Sequence, residues 1–224
     1  MARTLTFTPM ATPLDARERA QICARFDEFG PEAPMLCEGW DTFDLAAHLV
    51  VRERNPLSGP GLLLGDKVPA LAALTERVQE REKRRGWTSV VERVRTGPPL
   101  GPFAIPKLRD QINLIEYVVH HEDVRRANGL GPRDDIDDIQ AAVWRSLRRG
   151  ARLMVRKVPK DVGVELSRPG GSTHRVRAGE RTATLTGDPV ELLLWIYGRK
   201  GGSEATLTGE PEATAAFDAA SLGI

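Results

Sequence analysis

The chain has 224 residues, of which 41% are hydrophobic and 28% are charged, and this is the composition of an ordinary globular protein. Its 32 basic and 31 acidic side chains nearly cancel, which argues against a dedicated binder of nucleic acid or of anionic membranes. No apolar run approaches the roughly 20 residues of a membrane-spanning helix, and the first residues lack the apolar core of a signal peptide. Cys23 and Cys37 are therefore expected as free thiols in a reducing cytoplasm, with one disulfide as the alternative.

The first two thirds of the chain show helical patterns with recognisable start and stop residues. The first pattern begins with Thr12 as a candidate N-cap and Pro13 at the first helical position, and it ends before Gly30. A similar N-cap candidate, Thr42, begins the second pattern. The predicted helices cover residues 13–29, 43–54, 69–86, 88–96, 106–128 and 134–158.

The pattern changes after Pro159, where the chain begins to alternate polar with apolar or β-branched residues. Two such segments, 162–168 and 174–187, are separated by Pro169-Gly170-Gly171, which predicts a hairpin. The remaining predicted elements are a helix at 188–199, a strand at 204–209 and a helix at 211–220. We therefore predict an α+β protein, with an all-helical domain at residues 1–158 and a small α/β domain at residues 159–224.

The helix predicted at 106–128 carries acidic and imidazole side chains beside its apolar stripe. At about 100° per residue, Glu116, His120 and Asp123 project along one flank of this stripe, whereas His121 projects outward. Glu116 and His120 are four residues apart, so their side chains are neighbours on the helix surface. Such a pair is often a simple hydrogen-bonded contact, which is the alternative to a ligand-binding role.

The helix predicted at 43–54 is apolar around most of its circumference, which is typical of a buried helix. Asp44, His48 and Arg52 form its polar strip, and we expect this strip to face the flank that carries Glu116 and His120. Two imidazoles and one carboxylate form a ligand set of catalytic Zn²⁺ sites, and the same donors suit Fe(II) or Ni(II). The residues are thus compatible with a divalent metal, but their spacing alone favours hydrogen-bonded core histidines.

Two motifs in these helices resemble those of the mycothiol-dependent maleylpyruvate isomerase family, which belongs to the DinB-like group of metal-binding four-helix bundles. The motifs are W-D-x-x-D-L-A-A-H-L, which begins at Trp40, and E-x-x-x-H-H-x-D, which begins at Glu116. The segment D-P-x-E-L-L-L-W-x-x-G-R at 188–199 is similar to the family's C-terminal α/β domain. The resemblance implies an up-down four-helix bundle. It also implies a divalent metal bound by His48, Glu116 and His120, with zinc expected and nickel or iron as alternatives.

The same resemblance implies a chemistry. The family includes an isomerase that uses mycothiol as cofactor, and related bundles transfer low-molecular-weight thiols to electrophiles. We therefore expect a metal- and thiol-dependent isomerase or transferase whose partners are a small-molecule thiol and an electrophilic substrate. Arg52 and Arg199 are candidate catalytic residues that would hold an anionic substrate or thiol, and a solvated helix-end arginine is the alternative for Arg199. Because related bundles often pair helix faces, a homodimer is the alternative to a monomer.

Two residues near the expected metal have open roles. Asp123 is expected either to orient a ligand imidazole or to serve as an alternative ligand. Cys37, close before Trp40, would close the coordination as a fourth ligand in a non-catalytic binding or regulatory module, and its alternative role is that of a small buried apolar residue. A ligand-binding bundle with a vestigial metal site is the third interpretation.

Overall fold

The computed structural model of the protein describes residues 12–54, 69–99 and 105–222, without the side chains of residues 69–72 and 106–112. The N-terminal residues on which the signal-peptide expectation rests lie outside this description. Within it, every helix is too short or too polar to span a membrane.

Six described α-helices precede the sheet, and their bounds agree with the predicted ones to within a few residues. They are α1 Leu14–Phe29, α2 Thr42–Arg54, α3 Pro69–Lys83, α4 Trp87–Thr96, α5 Pro106–Ala127 and α6 Asp137–Met154. The largest difference at a helix start concerns α6, which was predicted from residue 134. Asp135 has a φ of 54°, a left-handed conformation that an α-helix cannot contain, so the residues before Asp137 form a turn instead.

The described strands form one sheet in the order β2-β1-β3-β4. They are β1 Val162–Ser167, β2 Thr173–Arg177, β3 Arg181–Thr186 and β4 Thr206–Gly209, with α7 Pro189–Ile196 before β4 and α8 Pro211–Ala219 after it. β1 and β2 form the predicted antiparallel hairpin, but the segment predicted at 174–187 contains two strands, and the second of them, β3, lies parallel to β1 on its other side. Gly179 separates β2 from β3. A Cβ atom there would lie 2.0 Å from the backbone nitrogen of Gly163, so this close approach requires glycine.

Two apolar clusters meet at α5. One joins α5 and α6 to the sheet, α7 and α8, and it contains Trp144 and Leu193. The other joins α5 to α1, α2 and α4, and it contains Phe26 and Leu49. The architecture is α+β, as predicted, and the helix between the two clusters is the one that carries Glu116 and His120. The domain boundary after residue 158 falls inside the first cluster and stays a prediction.

A buried ionic cluster joins α1 to α5 and corrects one expectation. His121, which was expected to project outward, is 2% exposed, and its Nδ1 lies 3.0 Å from Oε2 of Glu18. Arg133 donates to the same carboxylate over 2.7 Å. The outward prediction was wrong because α1 packs against that side of α5 and provides an acceptor for the imidazole. Burial alone would raise the pKa of Glu18, but the hydrogen bond with His121 and the charge of Arg133 lower it below its ordinary value.

Replacing Glu18 by Gln is expected to destabilise the protein by an amount that depends on pH. A carboxylate whose folded-state pKa is lowered contributes stability above its unfolded-state pKa, about 4.3 for Glu, and loses it as the pH falls through the folded-state pKa. The difference in unfolding free energy between wild type and E18Q, measured in urea, should therefore be full above about pH 5 and shrink below about pH 4. Glu28, which is half exposed, is the matched control, and E28Q should show no such change. A pH-independent difference for E18Q would contradict the assignment.

Candidate metal centre

α2 and α5 bring three potential metal ligands to one place. The Nε2 atoms of His48 and His120 lie 3.1 and 3.2 Å from the same oxygen, Oε1 of Glu116. One ligand atom of each residue lies within 4.8 Å of the other two. The structure thus brings together the three residues that the sequence predicts as ligands, and their binding of a metal stays a prediction.

Packing of α2 against its neighbours places His48 in the interior. His48 and His120 are 7% and 8% exposed, and their rings lie edge to face with centroids 5.4 Å apart. Trp40, just before α2, packs its indole against the other side of His48 with a centroid distance of 5.2 Å. The Glu116 side chain keeps 23% of its surface exposed. Glu116 is therefore the most exposed of the three side chains.

Each imidazole contacts a further polar group through Nδ1. Nδ1 of His120 lies 3.0 Å from Oδ2 of Asp123, and Nδ1 of His48 lies 3.2 Å from the amide nitrogen of Gln79 on α3. Both ring nitrogens of His120 thus face carboxylate oxygens, which only accept hydrogen bonds, so the protonated imidazolium can donate to Asp123 and to Glu116 at once. The orientation of both rings thus directs Nε2 toward Glu116.

Arg52 contacts both Glu116 and a group of buried polar side chains. Nε of Arg52 lies 3.5 Å from Oε1 of Glu116, and its Nη1 donates to Oδ1 of Asn113 over 2.6 Å. Asn113 donates in turn to Oε1 of Glu53 over 2.8 Å, and the hydroxyl of Tyr117 donates to the same oxygen over 3.1 Å. This chain of hydrogen bonds holds the guanidinium beside the carboxylate.

A second group of potential ligands shares His120. Cys37, His120 and Asp123 each have a ligand atom within 4.8 Å of the others. Arg199, just after α7, donates to both carboxylate oxygens of Asp123 and to Sγ of Cys37, each over 2.9 Å. The C-terminal part of the chain therefore contacts His120 indirectly, through Asp123. Both Cys37 and Cys23 are free thiols, as the sequence predicts.

Burial and hydrogen bonding shift the pKa values of Glu116, His48 and His120 in different directions. Burial opposes ionisation of Glu116, but the charge of Arg52 and hydrogen bonds with both histidines lower its pKa well below the usual range. Burial lowers the pKa of His48. Burial would lower the pKa of His120 as well, but hydrogen bonds with Asp123 and two other groups raise it well above the ordinary value. At neutral pH, Glu116 and His48 thus have metal-binding forms, whereas a metal ion would displace a proton from His120.

The remaining sequence-predicted polar residues divide into two sets. Arg52 and Arg199 both lie beside residues of the cluster, and a catalytic role for either stays a prediction. Asp44 lies apart from it and accepts a hydrogen bond from Lys83 over 2.7 Å. Sequence reasoning missed Gln79 and Asn113, because a single amide on a helix gives no periodic signal. A search for polar residues on the inner face of α3 would have identified Gln79.

No family model and no curated protein matches the chain. Among solved structures, the chain is similar to a histidine-to-alanine mutant of the mycothiol-dependent maleylpyruvate isomerase. The alignment has 14% sequence identity and a TM-score of 0.47, and it covers 88% of this chain and 91% of that one. This similarity is too low to assign a fold or an activity.

Proposed function

We propose that the chain binds a divalent metal ion through His48, Glu116 and His120 and activates a low-molecular-weight thiol for addition to a small electrophile. The observation that carries the metal site is the convergence of the three ligand atoms, from two helices, within 4.8 Å. In the proposed architecture, a DinB-like up-down four-helix bundle at residues 1–158 holds the ion, and a small α/β domain at residues 159–224 adjoins it.

The residues present fit a small divalent cation. With ligand bonds of about 2.0–2.1 Å, two ligand atoms of a tetrahedral ion are roughly 3.3 Å apart. The distances from Glu116 to the two imidazole nitrogens, 3.1 and 3.2 Å, are close to this value. Zinc suits the donor set best, and nickel or iron(II) accept the same donors. When bound, such an ion supplies the positive charge that lowers the pKa of a coordinated thiol.

Residues around the ligands would hold them in the binding orientation. Asp123 accepts a hydrogen bond from Nδ1 of His120 and leaves Nε2 of that ring directed at Glu116. At His48 the same tautomer requires that Gln79 present its amide oxygen to Nδ1. The oxygen and nitrogen of an amide are nearly interchangeable in shape, so half a turn of the Gln79 side-chain amide meets this requirement.

The thiol and the electrophile are inferred from the motifs that resemble the isomerase family, and mycothiol is the thiol that these motifs suggest. Arg52 lies beside Glu116 and would attract an anionic group of the thiol or of the substrate. Arg199 already donates to Asp123 and Cys37, so its proposed role is to hold Asp123 against His120. In an isomerisation the thiol adds to the electrophile and later leaves, whereas in a thiol transfer it stays bound to the product.

A cobalt-substituted protein tests the proposal directly. Co(II) replaces zinc in such sites, and its thiolate complexes absorb in the near ultraviolet. We expect this band to be weak in the protein alone and to appear at one equivalent of mycothiol. Turnover with a panel of thiols and electrophiles would then identify the reaction. Metal-loaded protein that neither binds a thiol nor turns over any substrate pair would refute the thiol chemistry while leaving the metal site.

The second group of ligands supports an alternative function, a non-catalytic metal-containing binding or regulatory module. Cys37 lies beside His120, and a thiolate ligand from the chain itself would close the coordination, as in structural zinc sites. In that case the cobalt band should be present before any thiol is added and should be absent in C37S. The same spectrum thus separates the two functions.

Replacing Gln79 by Ala is expected to weaken metal binding by about 10- to 100-fold, because outer contacts to ligand imidazoles typically have effects of this size. Competition with a chromophoric chelator would measure the change. Q79E keeps an acceptor for Nδ1 of His48 and should restore affinity, and E80A, an exposed site on the same helix, should leave it unchanged. Equal losses in Q79A and Q79E would contradict this role, because they would show that His48 needs the amide of Gln79 as a donor and not an acceptor at Nδ1.

A further inference from the structure

One face of α6 and of the turn that follows it is strongly basic. Residues 139–160 contain seven basic side chains and no acidic one, although the whole chain is nearly neutral. All seven are exposed. They are Arg145, Arg148, Arg149, Arg152, Arg156, Lys157 and Lys160. Charge of one sign is therefore concentrated on one surface.

Two of these arginines line a groove between α1, α5 and α6, whose surface is about half apolar. The groove has a volume of about 420 Å³, which lies within the range of small-molecule sites. Leu14, Leu114 and Ile115 line it, together with small residues of α6, and Arg145 and Arg149 stand at its edge. None of its described lining side chains is acidic.

Arg145 and Arg149 are one helical turn apart, so both guanidinium groups can reach the same anion. Among the described side chains, neither forms an ion pair or a hydrogen bond. Leu153, one turn further along the same row, is 59% exposed and extends the apolar surface beyond the groove. A ligand that complements both features would therefore have an anionic group attached to an apolar chain or ring.

We propose that this groove binds a free amphiphilic carboxylate, with its apolar chain along Leu14, Leu114 and Ile115 and its carboxylate held by Arg145 and Arg149. Charge complementarity selects an anion, and the apolar lining selects a ligand with a hydrocarbon chain or ring. No residue of the candidate metal centre lines the groove. The inference is therefore independent of the proposed thiol chemistry.

Calorimetric titration of the full-length protein with dodecanoate, below its micellar concentration, tests the site. We expect saturable binding at one equivalent and a loss of about 10- to 100-fold in affinity for R145Q/R149Q. The double variant R152Q/R156Q removes the same charge from the same face outside the groove, and it should bind as the wild type does. G150L should also weaken binding, because a Cβ atom at Gly150 meets no other atom within 4 Å and its side chain would enter open space at the groove.

Several outcomes would overturn the proposal. Equal losses in the two arginine pairs would indicate a general attraction of anions to the basic face. Equal binding of dodecanol would show that the carboxylate is not recognised. Binding to vesicles of anionic phospholipid without binding of dodecanoate would assign the face to a membrane surface. Binding that never saturates would indicate non-specific adsorption of the fatty acid.

Discussion

Replacing His120 by Ala, or His48 by Ala, is expected to abolish stoichiometric metal binding. Each imidazole supplies one of the three proposed ligands, and Glu116 with a single remaining histidine would be a weak, incomplete site. Because loss of an outer contact alone costs about 10- to 100-fold in affinity, loss of a ligand should exceed that range. Elemental analysis of protein purified without an affinity tag measures the metal content, and chelator competition measures the affinity.

A fourth histidine provides the matched control. His174 lies on β2, away from the cluster, with its ring 6.4 Å from that of Trp144. H174A should keep one metal ion per chain. The variant C37A distinguishes the two groups of potential ligands. It should retain the metal if His48 and Glu116 are ligands, and it should lose the metal if Cys37 is a ligand. Full metal content in H120A would contradict both groups, since His120 belongs to each.

Much of the fold follows from local patterns in the sequence. Hairpin signals such as Pro169-Gly170-Gly171 act within a few residues, and this one was predicted. The start of α2 was predicted within one residue, but its N-cap is Asp41 and not Thr42, because the Asp41 carboxylate accepts from the backbone N–H of Asp44 over 2.8 Å. The parallel pairing of β1 with β3 was not predicted, because it depends on contacts between segments that are distant in the chain. The inward position of His121 was missed for the same reason, since its partner Glu18 lies on another helix.

The three candidate ligands could be predicted from the sequence, whereas the residues that contact them could not. His48, Glu116 and His120 combine helical spacing with chemically distinctive side chains, so pattern and donor type indicate the same residues. Gln79 and Asn113 are ordinary amides whose positions acquire meaning only when α3 and α5 are packed against α2. Sequence periodicity shows which side of a helix is buried, but it does not show which other helix covers that side.

Arg199 connects the C-terminal part of the chain to the candidate site. Arg199 forms two hydrogen bonds with Asp123, and this charge together with His120 lowers the pKa of Asp123 to about 2 despite its burial. Asp123 is therefore ionised throughout the physiological range and keeps accepting from Nδ1 of His120. A change in the position of Arg199 would thus affect the candidate ligand His120 without direct contact.

Replacing Glu53 by Ala is expected to destabilise the protein by about 3–5 kcal/mol, the typical cost of breaking a buried ion pair. Glu53 accepts hydrogen bonds from Arg19, Asn113 and Tyr117. The Arg19 and Glu53 side chains are only 9% and 2% exposed. Arg19 also packs its guanidinium over the ring of Tyr117 at 4.7 Å. Without the carboxylate, a buried positive charge would lose its counterion and two neutral donors would lose an acceptor.

The free energy of unfolding in urea measures this effect, and two variants make it specific. E28A removes the acid of an exposed pair with Arg25, and it should change stability by less than about 0.5 kcal/mol. R19M/E53L removes both buried charges and should recover much of the loss, because no unpaired charge remains. Since Asn113 joins Glu53 to Arg52 beside Glu116, E53A should also weaken metal binding. A loss below about 1 kcal/mol in E53A would show that water reaches Arg19 and replaces the carboxylate.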